Sequence, residues 1–168
     1  MSSTFNGFRL VVATSDGNGN PTFIENDAPE SRSIPGVADV AYLWRLEGDG
    51  TSPTKFGGPG RQGGVAPGGS TLKLIVIPPR SAGTAGTDVA SLLHGATGGY
   101  ENPAMHSTNS VDYQIVLSGR IDFVMPGNQR RTLSRGDILV DAGMPHAWEN
   151  HYDEPCTYLS AAIGVAPD

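Results

Sequence analysis

A chain of 168 residues fits one domain and is long enough to close a hydrophobic core. Its 23 glycines and 13 prolines suit a turn-rich β protein and weigh against long helices, while 38% hydrophobic content, clustered along the chain, points to a globular fold with loop insertions. The net charge of −6 excludes the basic face that a nucleic-acid or anionic-membrane partner demands.

Residues 8–13 and 21–25 flank Asp16-Gly-Asn-Gly-Asn20, and the pair reads as a β-hairpin, because Gly and Asn accept the positive φ of such turns. The N-terminus has no basic stretch, and the apolar run at 10–13 is too short for a signal-peptide core or a membrane span. The expectation is a soluble, cytoplasmic protein. Residues 26–35 are polar with two prolines and read as loop. Residues 37–46 read as a strand with Tyr42 and Trp44 on one face. The Gly- and Pro-rich stretch 47–70 lacks the strand-before, helix-after context of a phosphate-binding loop, so it reads as a surface loop.

Residues 71–77 form the next predicted strand, ended by Pro78-Pro79. Residues 87–95 read as a short helix with Thr87 as N-cap and His94 in the last turn, near the negative end of the helix dipole. From residue 105 onward, period-two alternation broken by Gly, Pro and Asn marks antiparallel strands: 106–118, 120–125, 129–133, 137–141, 146–151 and 157–165. Strands this short and this closely spaced point to a barrel or sandwich. Cys156, the single cysteine, excludes an internal disulfide and reads as a small buried hydrophobe; its solitude suits a reducing compartment.

Residues two apart in a strand share a face. His106, Thr108 and Ser110 therefore look one way; Asp112, Gln114 and Val116 form a second set; His146, Trp148 and Asn150 form a third. A barrel brings such faces together in its interior. Trp148 is the aromatic expected to line the pocket, His151 points away to the surface, and Tyr113 and Trp44 suit core or interface.

These residues resemble the two motifs of the cupin superfamily, whose fold is a double-stranded β-helix, or jelly roll. His106 takes the first histidine place of the first motif, Asp112 its acidic place and Gly119 its closing glycine. Gly136, Gly143, His146 and Asn150 take the places of the second. The resemblance covers roughly residues 71–165. Thr108 stands where a second histidine belongs, Asp112 replaces glutamate, Tyr100 stands at the opening glycine and Ala142 replaces a proline. The pattern is similar to a group of small single-domain cupins, some of which accompany polyketide and other secondary-metabolite pathways.

The resemblance implies an all-β cupin barrel over 71–168, with the hairpin, strand and loops of 1–70 packed on it and a loop and short-helix insertion over 79–105 that covers or shapes the mouth. Two imidazoles and a carboxylate, His106, Asp112 and His146, suit a divalent ion such as Fe, Zn, Mn or Ni, and with it an oxidoreductase of the dioxygenase type. Without a metal, a histidine serves as general base in a lyase or isomerase, for instance a dehydratase, with Asp112 orienting it or acting as acid. Gln114, Trp148, Asn150 and Thr108 are the expected substrate-binding residues. A non-catalytic ligand-binding role keeps the same pocket. The expected partners are a small organic molecule and, since cupins often pair, a second copy of the chain. The N-terminal hairpin is expected to add to a sheet edge of the same or another subunit.

Overall fold

The computed structural model describes residues 5, 7–26, 28–49, 56–80, 88–93 and 95–167. The expected hairpin is β1 (Leu10–Ser15) and β2 (Pro21–Asn26), its turn held by the Asp16 carboxylate, which accepts the backbone N–H groups of Asn18 and Asn20 at 2.8 and 2.9 Å. It forms a two-stranded sheet of its own instead of extending an edge of a larger one. Next come β3 (Glu30–Ile34), β4 (Ala38–Leu46), β5 (Gly58–Pro59) and β6 (Ser70–Ile77). β3 falls in the stretch expected to be loop. It is the outermost strand of its sheet, so pairing with β4 rather than burial orders a Glu-Ser-Arg-Ser sequence that shows no hydrophobic alternation.

The short helix α1 (Val89–Leu92) is a single turn capped by Asp88, whose carboxylate accepts the Ser91 N–H at 3.3 Å. Thr87 and His94, the expected cap and last-turn residue, lie outside the described residues. β7 (Ala96–Thr97) and β8 (Ser107–Thr108) pair with each other. The remaining strands are β9 (Ser110–Ser118), β10 (Arg120–Met125), β11 (Gln129–Ser134), β12 (Ile138–Asp141), β13 (Ala147–Glu149) and β14 (Cys156–Gly164).

Two sheets carry the fold, and their pairings are antiparallel. The larger runs β12-β9-β14-β6-β4-β3, with β5 alongside β4; the smaller runs β11-β10-β13. The expected boundary at residue 70 therefore falls inside one continuous sheet, because β4 on its N-terminal side is bonded to β6. This is the double-stranded β-helix arrangement. The chain crosses from the larger to the smaller sheet between β9 and β10 at Gly119, whose φ of 73° is the left-handed conformation that glycine adopts without strain.

Alternation places Asp112, Gln114 and Val116 of β9 inward and Tyr113 outward, as the sequence pattern requires. The core joins both sheets: Val40, Tyr42, Ile77, Val116 and Tyr158 from the larger pack with Ile121 from the smaller. Ile121 is fully buried, which contributes about 1.5–3 kcal/mol. Cys156 is buried in the same cluster, and burial pushes its thiol up to about 12, so it behaves as the hydrophobe expected.

Tyr42 and Trp44 do not share a face. Tyr42 pairs with Lys73 but Trp44 pairs with Leu72, so Leu43 is an extra residue on β4 and the bulge reverses the side from which Trp44 projects. Tyr42 stays inside, and Trp44 donates its Nε1–H to the Phe56 carbonyl at 3.1 Å. Among the described residues no helix is long and apolar enough to cross a membrane.

Candidate functional site

His106 and His146 meet across a backbone bridge. Each N–H donates to the other's carbonyl at 2.8 Å, an antiparallel pair that fixes both side chains on the same side. Their ring centroids lie 4.6 Å apart. His106 Nδ1 lies 3.1 Å from the Ala104 carbonyl and His146 Nδ1 lies 2.9 Å from the Met144 carbonyl. A carbonyl only accepts, so both rings carry their proton on Nδ1, and Nε2 is left as the basic nitrogen of each. Both rings line one cavity of about 170 Å³ between the sheets.

Asp141, at the end of β12, is the partner that sequence reading missed. Its Oδ2 lies 2.9 Å from His146 Nδ1, and its Oδ1 accepts the Met144 N–H at 2.9 Å, which ties the β12–β13 turn to the carboxylate. Both side chains are almost fully buried. Burial by itself would raise the Asp141 carboxyl; its bond to His146 and the charge there, with the Met144 N–H, outweigh that and hold it below the usual carboxylate range. His146 also stacks on Phe123 at 4.9 Å, and Trp148 stacks on Tyr158 at 4.8 Å. The ring position is thus fixed by a carboxylate, a carbonyl and an aromatic face.

Among the described residues no carboxylate pairs with His106, whose Nδ1 meets the Ala104 carbonyl. Burial, then the neighbouring His146, lowers His106 to about 4, so it is neutral across the physiological range. Asp112 lines the same cavity. Burial raises its carboxyl, against the Ser110 hydroxyl that donates to Oδ1 at 2.6 Å and the charge of Lys73. Thr108 also lines the cavity, but its hydroxyl is taken up by Ser110 Oγ at 2.7 Å. Gln114 and Trp148 line it as expected.

Asn150 does not. Its side chain is wholly buried, donating to the carbonyls of Ile77 and Glu154 at 3.3 and 2.9 Å and accepting the Tyr152 N–H at 3.0 Å. It folds the 150–154 turn onto the end of β6; the expected substrate contact is replaced by a structural one. His151 projects outward, half-exposed, with Nε2 at 2.9 Å from Glu149. The insertion after β6 reaches the mouth, where Val89, Leu92, Leu93 and Ala104 join the lining.

Lys73 and Ser160 were also missed and also line the cavity. Lys73 left a signal, since it is a charge inside an otherwise apolar strand at the alternation shared by Ile75 and Ile77. Asp141 left a weaker one, a carboxylate at a strand end shortly before the Gly143-Met-Pro-His146 turn.

A divalent ion is the group the motif resemblance implies for His106, Asp112 and His146. The two imidazoles suit it: each has Nδ1 committed to a carbonyl and Nε2 bare, the usual outer-shell arrangement of a metal-binding histidine. The third ligand does not close the set. Asp112 is turned to Ser110, Thr108 replaces a histidine, and among the described residues no three His, Cys, Asp or Glu side chains converge closely enough to hold an ion. The residues present therefore do not fit a three-ligand centre.

The cupin-domain family model matches residues 91–162. Phomopsin biosynthesis cluster protein C' of Diaporthe leptostromiformis is 36% identical over 84 residues, which is 50% of this chain and 34% of that protein. Oryzines biosynthesis cluster protein J of Aspergillus oryzae is 35% identical over 66 residues, 39% of this chain and 35% of that protein. The match thus spans about a third of these relatives' length. Among solved structures, a double-stranded β-helix protein from Klebsiella pneumoniae aligns with a TM-score of 0.48 at 15% identity, covering 79% of this chain and 81% of that one. The polyketide cyclase RemF from Streptomyces resistomycificus aligns with a TM-score of 0.46 at 14% identity, covering 80% and 72%.

Proposed function

We propose that this chain, whose residues 91–162 match the cupin-domain family model, is a small-molecule enzyme of secondary metabolism whose His146–Asp141 pair removes a proton next to a carbonyl in the cavity between the sheets. The observation that carries this reading is the buried 2.9 Å contact of His146 Nδ1 with Asp141 Oδ2. An anion at Nδ1 fixes the tautomer, keeps Nε2 basic and stabilises the imidazolium formed when Nε2 takes a proton. The reaction class is that of a lyase or isomerase. Placement in secondary metabolism is supported by relatives that belong to biosynthesis clusters.

Within this scheme His106, which burial keeps neutral, places no second positive charge beside His146. Asp112, with its carboxyl raised by burial, is the group suited to return a proton. The apolar wall of Val40, Ile75, Ile77 and Val89 excludes water and takes the hydrocarbon part of the substrate. No step is routed through a metal ion, because the donor set does not close around one.

The test is solvent-deuterium exchange into α-ketoisocaproate, a small ketone with exchangeable protons beside its carbonyl. Wild type is expected to accelerate exchange, and His146→Ala and Asp141→Asn to lose the acceleration. Equal rates in wild type and His146→Ala would contradict the proposal.

A further inference from the structure

One row of inward-facing side chains crosses the larger sheet above the reacting pair. Tyr42 on β4 stands opposite Lys73 on β6, Lys73 opposite Ser160 on β14, and Ser160 opposite Gln114 on β9. All four line the cavity. With neighbouring strands about 4.8 Å apart, Lys73 and Gln114 have their backbones roughly 10 Å from one another, a span that one small molecule bridges.

Two members of this row are chemically incomplete. Gln114 is 4% exposed, and among the described residues its buried Oε1 has no hydrogen-bond partner. A buried acceptor left unpaired forfeits its hydration with nothing in exchange, so a donor brought to it is favoured. The Lys73 side chain has no hydrogen bond or close ion pair among the described residues; burial lowers its pKa, and the charge of Asp112 works the other way. A cation that faces a cavity without a hydrogen-bonded partner is stabilised by an anion brought to it.

We infer that the ligand of this cavity is a small organic acid with an apolar side chain, its carboxylate paired with Lys73 and an α-hydroxyl or α-amino group donating to Gln114 Oε1. The carboxylate supplies Lys73 with a hydrogen-bonded counter-charge in addition to the Asp112 charge nearby, and the adjacent O–H or N–H supplies a donor to Gln114 Oε1. The side chain lies along Val40, Ile75 and Ile77. This names a ligand class for the cavity and rests on that cavity being the site of the catalytic reading above. Lys73 and Gln114 are binding residues in it, and His146 lies outside the pair.

Isothermal titration of the full chain with α-hydroxyisocaproate, its methyl ester and unsubstituted isocaproate tests this. The hydroxy acid is expected to bind at least about tenfold more tightly than either of the others. Lys73→Met should abolish the preference for acid over ester, and Lys73→Arg should keep it. Gln114→Leu should abolish the preference for the hydroxy acid over isocaproate while leaving the acid-over-ester preference. Ester binding as tight as acid binding in wild type, or no binding of the hydroxy acid at millimolar concentration, overturns the inference. Both preferences present with no solvent exchange in any assay would sink the catalytic reading and leave this one standing.

Discussion

Asp112 and Asp141 stand directly opposite each other on β9 and β12, yet their surroundings drive them apart. Burial raises Asp112, and the buried contact with His146 holds Asp141 low in spite of its own burial. In the proposed reaction this split gives the two carboxylates different jobs, Asp141 behind the base and Asp112 as the acid. Asp141→Asn removes the anion and keeps the shape. Turnover is expected to fall about a hundredfold or more with little change in KM, whereas an unchanged kcat would show that His146 works without its partner.

His106 couples the site to acid stability. An unfolded histidine takes its proton near the reference value of 6.5, and the folded one near 4, with burial as the main cause. Between those values the unfolded chain holds the extra proton, so the contribution is full above about pH 6.5 and is lost as pH falls toward 4, amounting to roughly 3 kcal/mol. Asp112 works with the opposite sign, because a raised carboxyl keeps a proton that the unfolded chain has already released. Urea unfolding of wild type and His106→Gln across this interval separates the two. The curves should converge toward acid, and parallel curves would contradict the assignment.

Gly119 and Asn150 predict stability losses without a binding defect. A Cβ at Gly119 would sit 2.2 Å from the Pro155 carbonyl oxygen, with φ already positive, so Gly119→Ala is expected to cost on the order of 2–4 kcal/mol. Asn150→Ala strands the carbonyls of Ile77 and Glu154 and should cost roughly 2–3 kcal/mol. Chemical denaturation gives both values. Weaker binding of α-hydroxyisocaproate by folded Asn150→Ala, at unchanged stability, would return Asn150 to the cavity wall.

Metal content checks the donor-set argument. Elemental analysis of purified protein is expected to find far less than stoichiometric Fe, Zn, Mn or Ni, unchanged in His106→Ala and Asp112→Ala. A stoichiometric ion lost in both variants would mean that Asp112 swings from Ser110 to complete a ligand set with the imidazoles.

The strands from β9 onward were legible because each carries its alternation and its Gly or Pro punctuation in sequence, and the histidine pair was legible because it starts those strands. β3 was not, since its order comes from pairing with β4 and not from its own pattern. The Tyr42–Trp44 face was misread because a bulge adds a residue that no periodicity announces. Asn150 occupies its motif place, but motif position could not tell a ligand contact from a loop clasp. Asp141 and Lys73 were missed for one reason: each gains its role from a partner on another element, which only the fold supplies.

The account depends on His146 presenting a bare Nε2 to the cavity with its proton locked on Nδ1 by Asp141. Long-range nitrogen–proton NMR of the imidazole rings reads this tautomer directly. The expected result is an Nδ1-protonated neutral ring at His146 that loses its tautomer preference in Asp141→Asn. An Nε2-protonated ring in the wild-type protein would contradict the assignment of His146 as the base.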